Sequence, residues 1–295
     1  MSCYAWVHAD ELPKSTPEQT GKVADGSNQP ASQDADASKV EPLPLDELLV
    51  IRHGDLPIVI SAPHGGKLAI PGSTPRKGEN LETGASGFRT SRDTGTEELA
   101  MLVVAELDER LEGSPSCVIS RVHRKYVDFN RPPEIGVEDR TARIVYDLYH
   151  QTLKDAAAQI RKDHELGLLI DIHGQGSSET TVYRGTSNGL TTQGLQNRLG
   201  KDTQTGPNSL NGLLTKQGWK MHPNPFDGKE QAGFTGGHIV RSYGSHRADG
   251  IEAIQLEFGG NYRAAESREQ IAEQLANAIV EYAQRYLKLP QHVGE

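Results

Sequence analysis

The sequence predicts an α/β fold: a single domain with a mixed, mainly parallel central sheet flanked by helices. Three observations carry this. The runs Pro57-Ile-Val-Ile-Ser, Gly167-Leu-Leu-Ile-Asp-Ile-His173 and Ile251-Glu-Ala-Ile-Gln-Leu-Glu257 are nearly continuous in apolar residues, as strands covered on both faces are. Segments of helical spacing separate them, and alternation of strand and helix builds parallel sheets. Each run also ends at a chemically capable side chain: His64, His173 or Glu257. The carboxyl ends of strands in an open α/β sheet line one crevice, whatever their separation in sequence.

Taken in order, residues 10–46 hold few aliphatic side chains and cannot bury enough surface to offset the entropy of ordering. Residues 1–46 therefore read as a disordered tail and 47–290 as the folded domain. Leu48–Arg52 and Pro57–Ser61 are two strands around His53-Gly-Asp-Leu, a tight-turn composition that predicts a hairpin. Residues 65–92 are rich in Gly, Pro, Ser and Thr, and such long excursions within a compact domain are usually functional or disordered. Thr94-Gly-Thr-Glu97 has capping-box spacing ahead of the apolar run Leu99–Leu107, which places Asp93 just outside a helix N-terminus.

A strand around Cys117–Val122 follows, then a helix from Glu138 to about His164, with Ile144, Leu148, Tyr149 and Leu153 at helical spacing. Thr180–Arg184 reads as another strand. The stretch from Gly185 to Thr235 is loop-rich, with a short helix at Ser209–Gln217. Ile239-Val240 and Ile251–Phe258 return to strand character. The last helix, about Ala264 to Tyr286, sets Ile271, Leu275, Ile279 and Tyr282 on one face.

Composition excludes several classes. A net charge of −9 and a pI near 5.7 oppose a general nucleic-acid surface, which needs a basic footprint. No apolar run reaches the roughly 18 residues of a membrane span, and Met-Ser-Cys-Tyr-Ala-Trp-Val-His has neither the basic nor the apolar region of a secretory signal. A cytoplasmic location is expected. The two cysteines, Cys3 and Cys117, build neither a disulfide framework nor a Cys-type zinc site, and Cys117 reads as a small buried apolar residue. The oligomeric state is not encoded in any pattern here.

Two strand-end histidines and a strand-end acid point to a catalytic zinc, which takes three protein ligands and keeps a fourth position open. His64 and His173 supply two ligands. A His-x-x-Glu pair is excluded, because Lys67 stands three residues after His64. Asp93 is the first choice for the third ligand and Glu97 the competitor, although a capping box already occupies Glu97. Asp171, two residues before His173, lies on the same strand face and suits the spare imidazole N–H of a ligand. Glu257 remains as general base and then acid.

The pieces Ser61-Ala-Pro-His64-Gly, Asp93, Arg124 with Asp128-Phe-Asn130-Arg131, Asp171-Ile-His173, Gly236-Gly-His-Ile-Val-Arg-Ser-Tyr243-Gly and Gln255-Leu-Glu257 occur in one order over about residues 48–287. In this the chain resembles the N-formylglutamate amidohydrolase family, whose fold is of the zinc-carboxypeptidase and aspartoacylase type. The resemblance implies one zinc ion on His64, Asp93 and His173, with Glu257 activating water against an amide carbonyl. It further implies that Arg124 stabilises the oxyanion, that Asn130 and Arg131 clamp a substrate carboxylate, and that Asp128 orients their loop. Arg92, Arg184 and Arg241 are available for a second carboxylate, and Arg241 lies within a matched segment.

The expected activity is zinc-dependent removal of an N-acyl group, formyl or similar, from an acidic amino acid. The partner is then a small N-acyl amino acid or a short peptide, not nucleic acid or membrane. The rival readings are a carboxypeptidase-like hydrolase of peptides or polyglutamate and a non-catalytic carboxylate-binding protein. Arg52-His53-Gly54 does not make a phosphohistidine enzyme, because Asp55-Leu-Pro leads straight into another strand. Gly176-Ser-Ser-Glu lacks the Gly-x-Ser-x-Gly elbow of a serine hydrolase.

Overall fold

The computed structural model describes residues 42–78, 81, 87–225 and 228–289. The expected tail through residue 41, and Cys3 with it, lies outside them; residues 45 and 46 belong to a helical turn, α1 (Leu45–Leu48). Among the described residues seven strands follow: β1 (Leu49–Arg52), β2 (Ile58–Ala62), β3 (Ser116–Ser120), β4 (Leu168–Gly174), β5 (Val182–Gly185), β6 (Met221–His222) and β7 (Glu252–Phe258). They form one sheet in the order β1-β3-β2-β4-β7-β5-β6. Pairing is parallel except between β1 and β3 and between β5 and β7. The predicted mixed, mainly parallel sheet is the observed one.

The helices are α2 (Thr96–Arg110), α3 (Pro133–Gly136), α4 (Arg140–Asp163), α5 (Gln193–Leu199), α6 (Asp202–Thr205), α7 (Leu210–Lys216), α8 (His238–Tyr243) and α9 (Arg268–Tyr286). Side chains alternate across a strand, so each strand presents two different surfaces. Ile58 and Ile60 of β2, Ile170 and Ile172 of β4, and Ile254 and Leu256 of β7 face α2, α7 and α9 in one continuous apolar core. The opposite face, covered by α4 and α8, carries Ser61, Asp171, His173, Gln255 and Glu257. One period-2 pattern thus separates the core from the polar chemistry.

Four local expectations fail, each for a physical reason. β1 and β2 do not form a hairpin, because β3 lies between them. The amides of Asp55 and Leu56 both donate to the Ser114 carbonyl at 3.0 and 3.1 Å, so the intervening turn is held by the segment entering β3. The capping box is absent: Gly95 is the N-cap with φ 89°, and the Thr96 hydroxyl donates to the Asp93 carbonyl at 2.8 Å. Ile239-Val240 is helical, since two adjacent apolar residues carry no period and the turn at Gly236, φ 98°, restarts the chain into α8. Ile144 is 48% exposed, because α4 buries the neighbouring register of Val145, Tyr149, Leu153 and Ala156.

The last helix buries Ile271, Leu275, Ile279 and Tyr282 as predicted. Cys117 is buried in β3, and burial pushes its thiol up to about 11, which makes it inert. Among the described residues, no helix is long and apolar enough to cross a membrane.

At the amino-terminal end of β7, Glu252 is 1% exposed and accepts from the Leu195 amide at 2.9 Å and the Ser245 hydroxyl at 3.2 Å. Burial pushes its carboxyl up to about 7. A folded-state pKa raised above the ordinary 4.5 means that the folded protein favours the protonated form. Stability from this group is full below pH 4.5 and is lost as pH rises toward 7, by at most about 3 kcal/mol. Glu252→Gln keeps an acceptor for Leu195 and removes the titration. Denaturant midpoints should therefore show the variant more stable than wild type at pH 8 and not at pH 4.

Candidate metal centre

β2 and β4 are parallel neighbours, and their carboxyl ends deliver His64 and His173 side by side, with ring centroids 4.9 Å apart. Both rings are buried, at 1% and 2% exposure. The chain then passes Gly65, where any Cβ would lie 2.2 Å from the Glu97 amide nitrogen. This close approach packs the entry of α2 against His64. The Asp93 amide donates to the His64 carbonyl at 2.9 Å, which fixes Asp93 beside the ring that precedes it by 29 residues in the chain.

Each imidazole is held from behind by a buried carboxylate. His173 Nε2 lies 2.8 Å from Asp171 Oδ2, and His64 Nε2 lies 2.8 Å from Asp128 Oδ1. An ionised carboxylate only accepts, so both Nε2 atoms carry a proton, which leaves the two Nδ1 atoms as the positions a metal ion can claim. The Nδ1 atoms of His64 and His173 lie 3.5 and 3.4 Å from Asp93 Oδ2. These three ligand-type atoms are all within 4.8 Å of one another. Neighbouring ligand atoms on a tetrahedral ion with bonds of about 2.0–2.1 Å are separated by roughly 3.3–3.4 Å. His64 Nδ1 is buried without a hydrogen-bond partner, an arrangement that a bound cation relieves. The donor set and its spacing fit a divalent metal ion.

The carboxylates behind the rings are themselves anchored. Asp171 Oδ1 accepts from the Ser61 hydroxyl at 2.8 Å, and Ser61 meets the Tyr149 hydroxyl of α4 at 2.7 Å. Arg124 places Nε and a terminal nitrogen 2.9 Å from Asp128 Oδ2. The Asn130 amide donates to Asp128 Oδ1 at 3.0 Å, so Asp128 orders the following loop as well as His64.

Charge follows from these contacts. For Asp128, burial opposes ionisation, but His64 and Arg124 outweigh it and hold the carboxyl well below its usual range. Burial likewise opposes ionisation of Asp93, and the closeness of the His173 and His64 rings outweighs it, which holds the carboxyl well below its usual range. Burial disfavours a charged His173, yet Asp171, Asp93 and Glu257 push its pKa well above 6.5. A proton and a metal ion therefore compete for this cluster.

Glu257 stands opposite His173 in the β4–β7 register and is partly open to solvent. Burial pushes its carboxyl up to about 7, against the pull of His173 and Arg124. Gln255 donates to Glu257 Oε1 at 2.8 Å and accepts from the Gly237 amide at 2.8 Å.

The remaining expected residues are distributed unevenly. Arg124 NH1 approaches Asp93 Oδ1 at 3.9 Å, at the edge of the cluster. The Asn130 side chain accepts from the Ile239 amide at 2.9 Å, donates to Gln255 at 3.2 Å and lies 3.3 Å from His173 Nε2. The half-buried Arg131 donates to its neighbour's carbonyl, Asn130 O, at 2.8 Å and to Gly87 O at 3.3 Å. Arg241 is exposed, against the Ser187 and Thr235 hydroxyls at 3.1 and 3.4 Å. Arg92 donates to Gly65 O at 3.1 Å. Arg184 is buried and serves the loops, donating to Gln204 O at 2.7 Å and Gly228 O at 3.3 Å beside Glu230. Glu97 pairs with Arg121 at 3.4 Å, which leaves Asp93 as the third member of the cluster.

Sequence reading missed three participants: Tyr149, Ser61 as its relay, and Asp128 as the partner of His64. A serine inside an otherwise apolar, fully buried strand was the available signal for Ser61. Nothing in the spacing of α4 singled out the Tyr149 hydroxyl.

No family model and no curated protein matches the chain. Among solved structures, N-formylglutamate amidohydrolase from Ralstonia eutropha aligns with a TM-score of 0.54 at 14% identity, over 82% of this chain and 99% of that one. A gene product of Agrobacterium tumefaciens aligns at 0.49 and 14% identity, over 82% and 95% of the two chains. Succinylglutamate desuccinylase from Chromobacterium violaceum aligns at 0.38 and 12% identity, over 79% and 65%. The conclusion about architecture rests on the first of these. The chain has the fold of N-formylglutamate amidohydrolase, a single α/β domain whose mixed sheet carries a buried His-Asp-His group able to hold a metal ion.

Proposed function

We propose that the protein is a zinc-dependent amidohydrolase that removes an N-acyl group from an amino acid. One observation carries the reading: two carboxylate-held imidazoles and Asp93 aim three ligand atoms at one point, with Glu257 one strand away. Two nitrogens and one carboxylate oxygen are a ligand set of catalytic zinc sites. Zinc bound there supplies Lewis acidity, which polarises a carbonyl and makes water a stronger nucleophile.

The protein groups divide the remaining work. Glu257, with its carboxyl near 7, takes a proton from water as it attacks the amide carbon and returns that proton to the leaving amine. The Gln255 amide holds one Glu257 oxygen and so orients the other. Arg124 spends two nitrogens on Asp128, and its third, Nη1, 3.9 Å from Asp93 Oδ1, serves the oxyanion, where one aimed donor is worth about 3 kcal/mol. Arg131 binds the substrate carboxylate, and Asn130, fixed by Ile239 and Gln255, holds the loop that presents it. Arg241, exposed on α8, is the second cation offered to an acidic substrate.

Metal analysis after chelation and reconstitution, followed by assay on a panel of N-acyl amino acids, tests this. One zinc per chain with metal-dependent turnover is the expected result; failure to bind zinc overturns the reading. Glu257→Gln should lower kcat at least 10²-fold with zinc content unchanged. Asp171→Asn and Asp128→Asn should each weaken zinc binding about 10–100-fold in competition with a chromophoric chelator. Wild-type affinity in both would show that neither carboxylate tunes a ligand.

A further inference from the structure

We infer that Tyr183, Phe234 and His222 form a subsite for a ring-bearing acyl group, which makes N-aroyl amino acids preferred over N-formyl ones; this rests on the amidohydrolase reading above. The sheet places these rings beside the candidate site. His173, Glu257, Tyr183 and His222 occupy one register row across β4, β7, β5 and β6. Directly opposed residues share a sheet face, so Tyr183 stands on the same side as His173 and Glu257. Two strand spacings separate Tyr183 from His173, roughly 10 Å.

The rings form a preassembled wall. Tyr183 stacks on Phe234 with centroids 4.5 Å apart and planes 10° apart, and His222 meets Tyr183 edge-on at 5.6 Å. All three are half-buried rather than fully buried, so some ring surface remains for a ligand. The segment carrying Phe234 is pinned: Phe234 N donates to Gln231 O at 2.9 Å and Gly237 N to Gln255 at 2.8 Å. Gln255 also holds Glu257, so one side chain sets the wall relative to the acid.

The chemistry of the wall selects its occupant. Stacked aromatic faces favour planar or apolar groups over a carboxylate. Arg184, next to Tyr183 on β5, faces the other side of the strand and is buried against Gln204 O, Gly228 O and Glu230. A formyl group has no atoms that reach two strand spacings, whereas an aromatic acyl group extends past Glu257 to the rings. Along the sheet, Arg124 lies on the β3 side of the metal ligands and the wall on the β5–β6 side, so a bound amide has a different surface at each end.

The test uses the zinc-loaded full chain and the N-formyl, N-acetyl, N-succinyl and N-benzoyl derivatives of a set of amino acids. The kcat/KM for N-benzoyl substrates should exceed that for N-formyl ones at least tenfold. Tyr183→Leu and Phe234→Ala should each shrink that ratio at least tenfold, mainly through KM. Calorimetry with benzoate, acetate and succinate provides a readout without turnover: benzoate should bind most tightly, and both variants should lose the preference. Preference for succinyl over benzoyl, or a ratio unmoved in both variants, overturns the inference. Cleavage of N-formyl substrates with an unmoved ratio removes the wall and leaves the amidohydrolase standing. A benzoate preference that depends on both rings, without hydrolysis of any derivative, removes the amidohydrolase and leaves the wall.

Discussion

The structure depends on two buried bonds between a carboxylate and an imidazole: Asp171 with His173 and Asp128 with His64, both at 2.8 Å. A free imidazole exchanges tautomers and rotates, so neither nitrogen is reliably a ligand. Holding a proton on Nε2 in both rings sets Nδ1 of each toward Asp93. Burying these acids is costly, and the surrounding structure answers that cost directly. Arg124 forks onto Asp128, and the Tyr149–Ser61 pair closes the chain of donors on Asp171.

The same pocket sorts its carboxylates into two kinds. Asp93 and Asp128 lie against cationic or donor groups and stay ionised. Glu257, a strand away, is held by the neutral Gln255 amide, and burial raises it to about 7. Environments that push acids in opposite directions within one cavity separate groups that hold charge from groups that move protons. Register makes this separation possible, since Asp171 and His173 share a strand face and Glu257 is the direct neighbour of His173.

Much of the candidate site was legible because it is local or periodic. His173 and Asp171 are two residues apart on a strand, and their shared face follows from backbone geometry alone. His64 and Glu257 end apolar runs, and strand ends of a parallel sheet converge by topology. The sequence put Asp93 ahead of Glu97 for the third position; the structure gathers Asp93 with the two histidines and sets Glu97 against Arg121, with Gly95 at φ 89° as the cap of α2. Arg184 lay in a promising position in sequence, yet the loop carbonyls of Gln204 and Gly228 claim it.

The sequence by itself determined the α/β class, the strand runs, the long amphipathic helices and the identity of the groups at the strand ends, because these rest on side-chain period and on burial of apolar surface. The order of strands, with β3 between β1 and β2, was decided only by the tertiary structure. So were the helical state of residues 238–243 and the pairing of Asp128 with His64 across 64 positions of chain. Such contacts depend on which surfaces meet once the core has closed, and no local pattern encodes a partner 64 positions away.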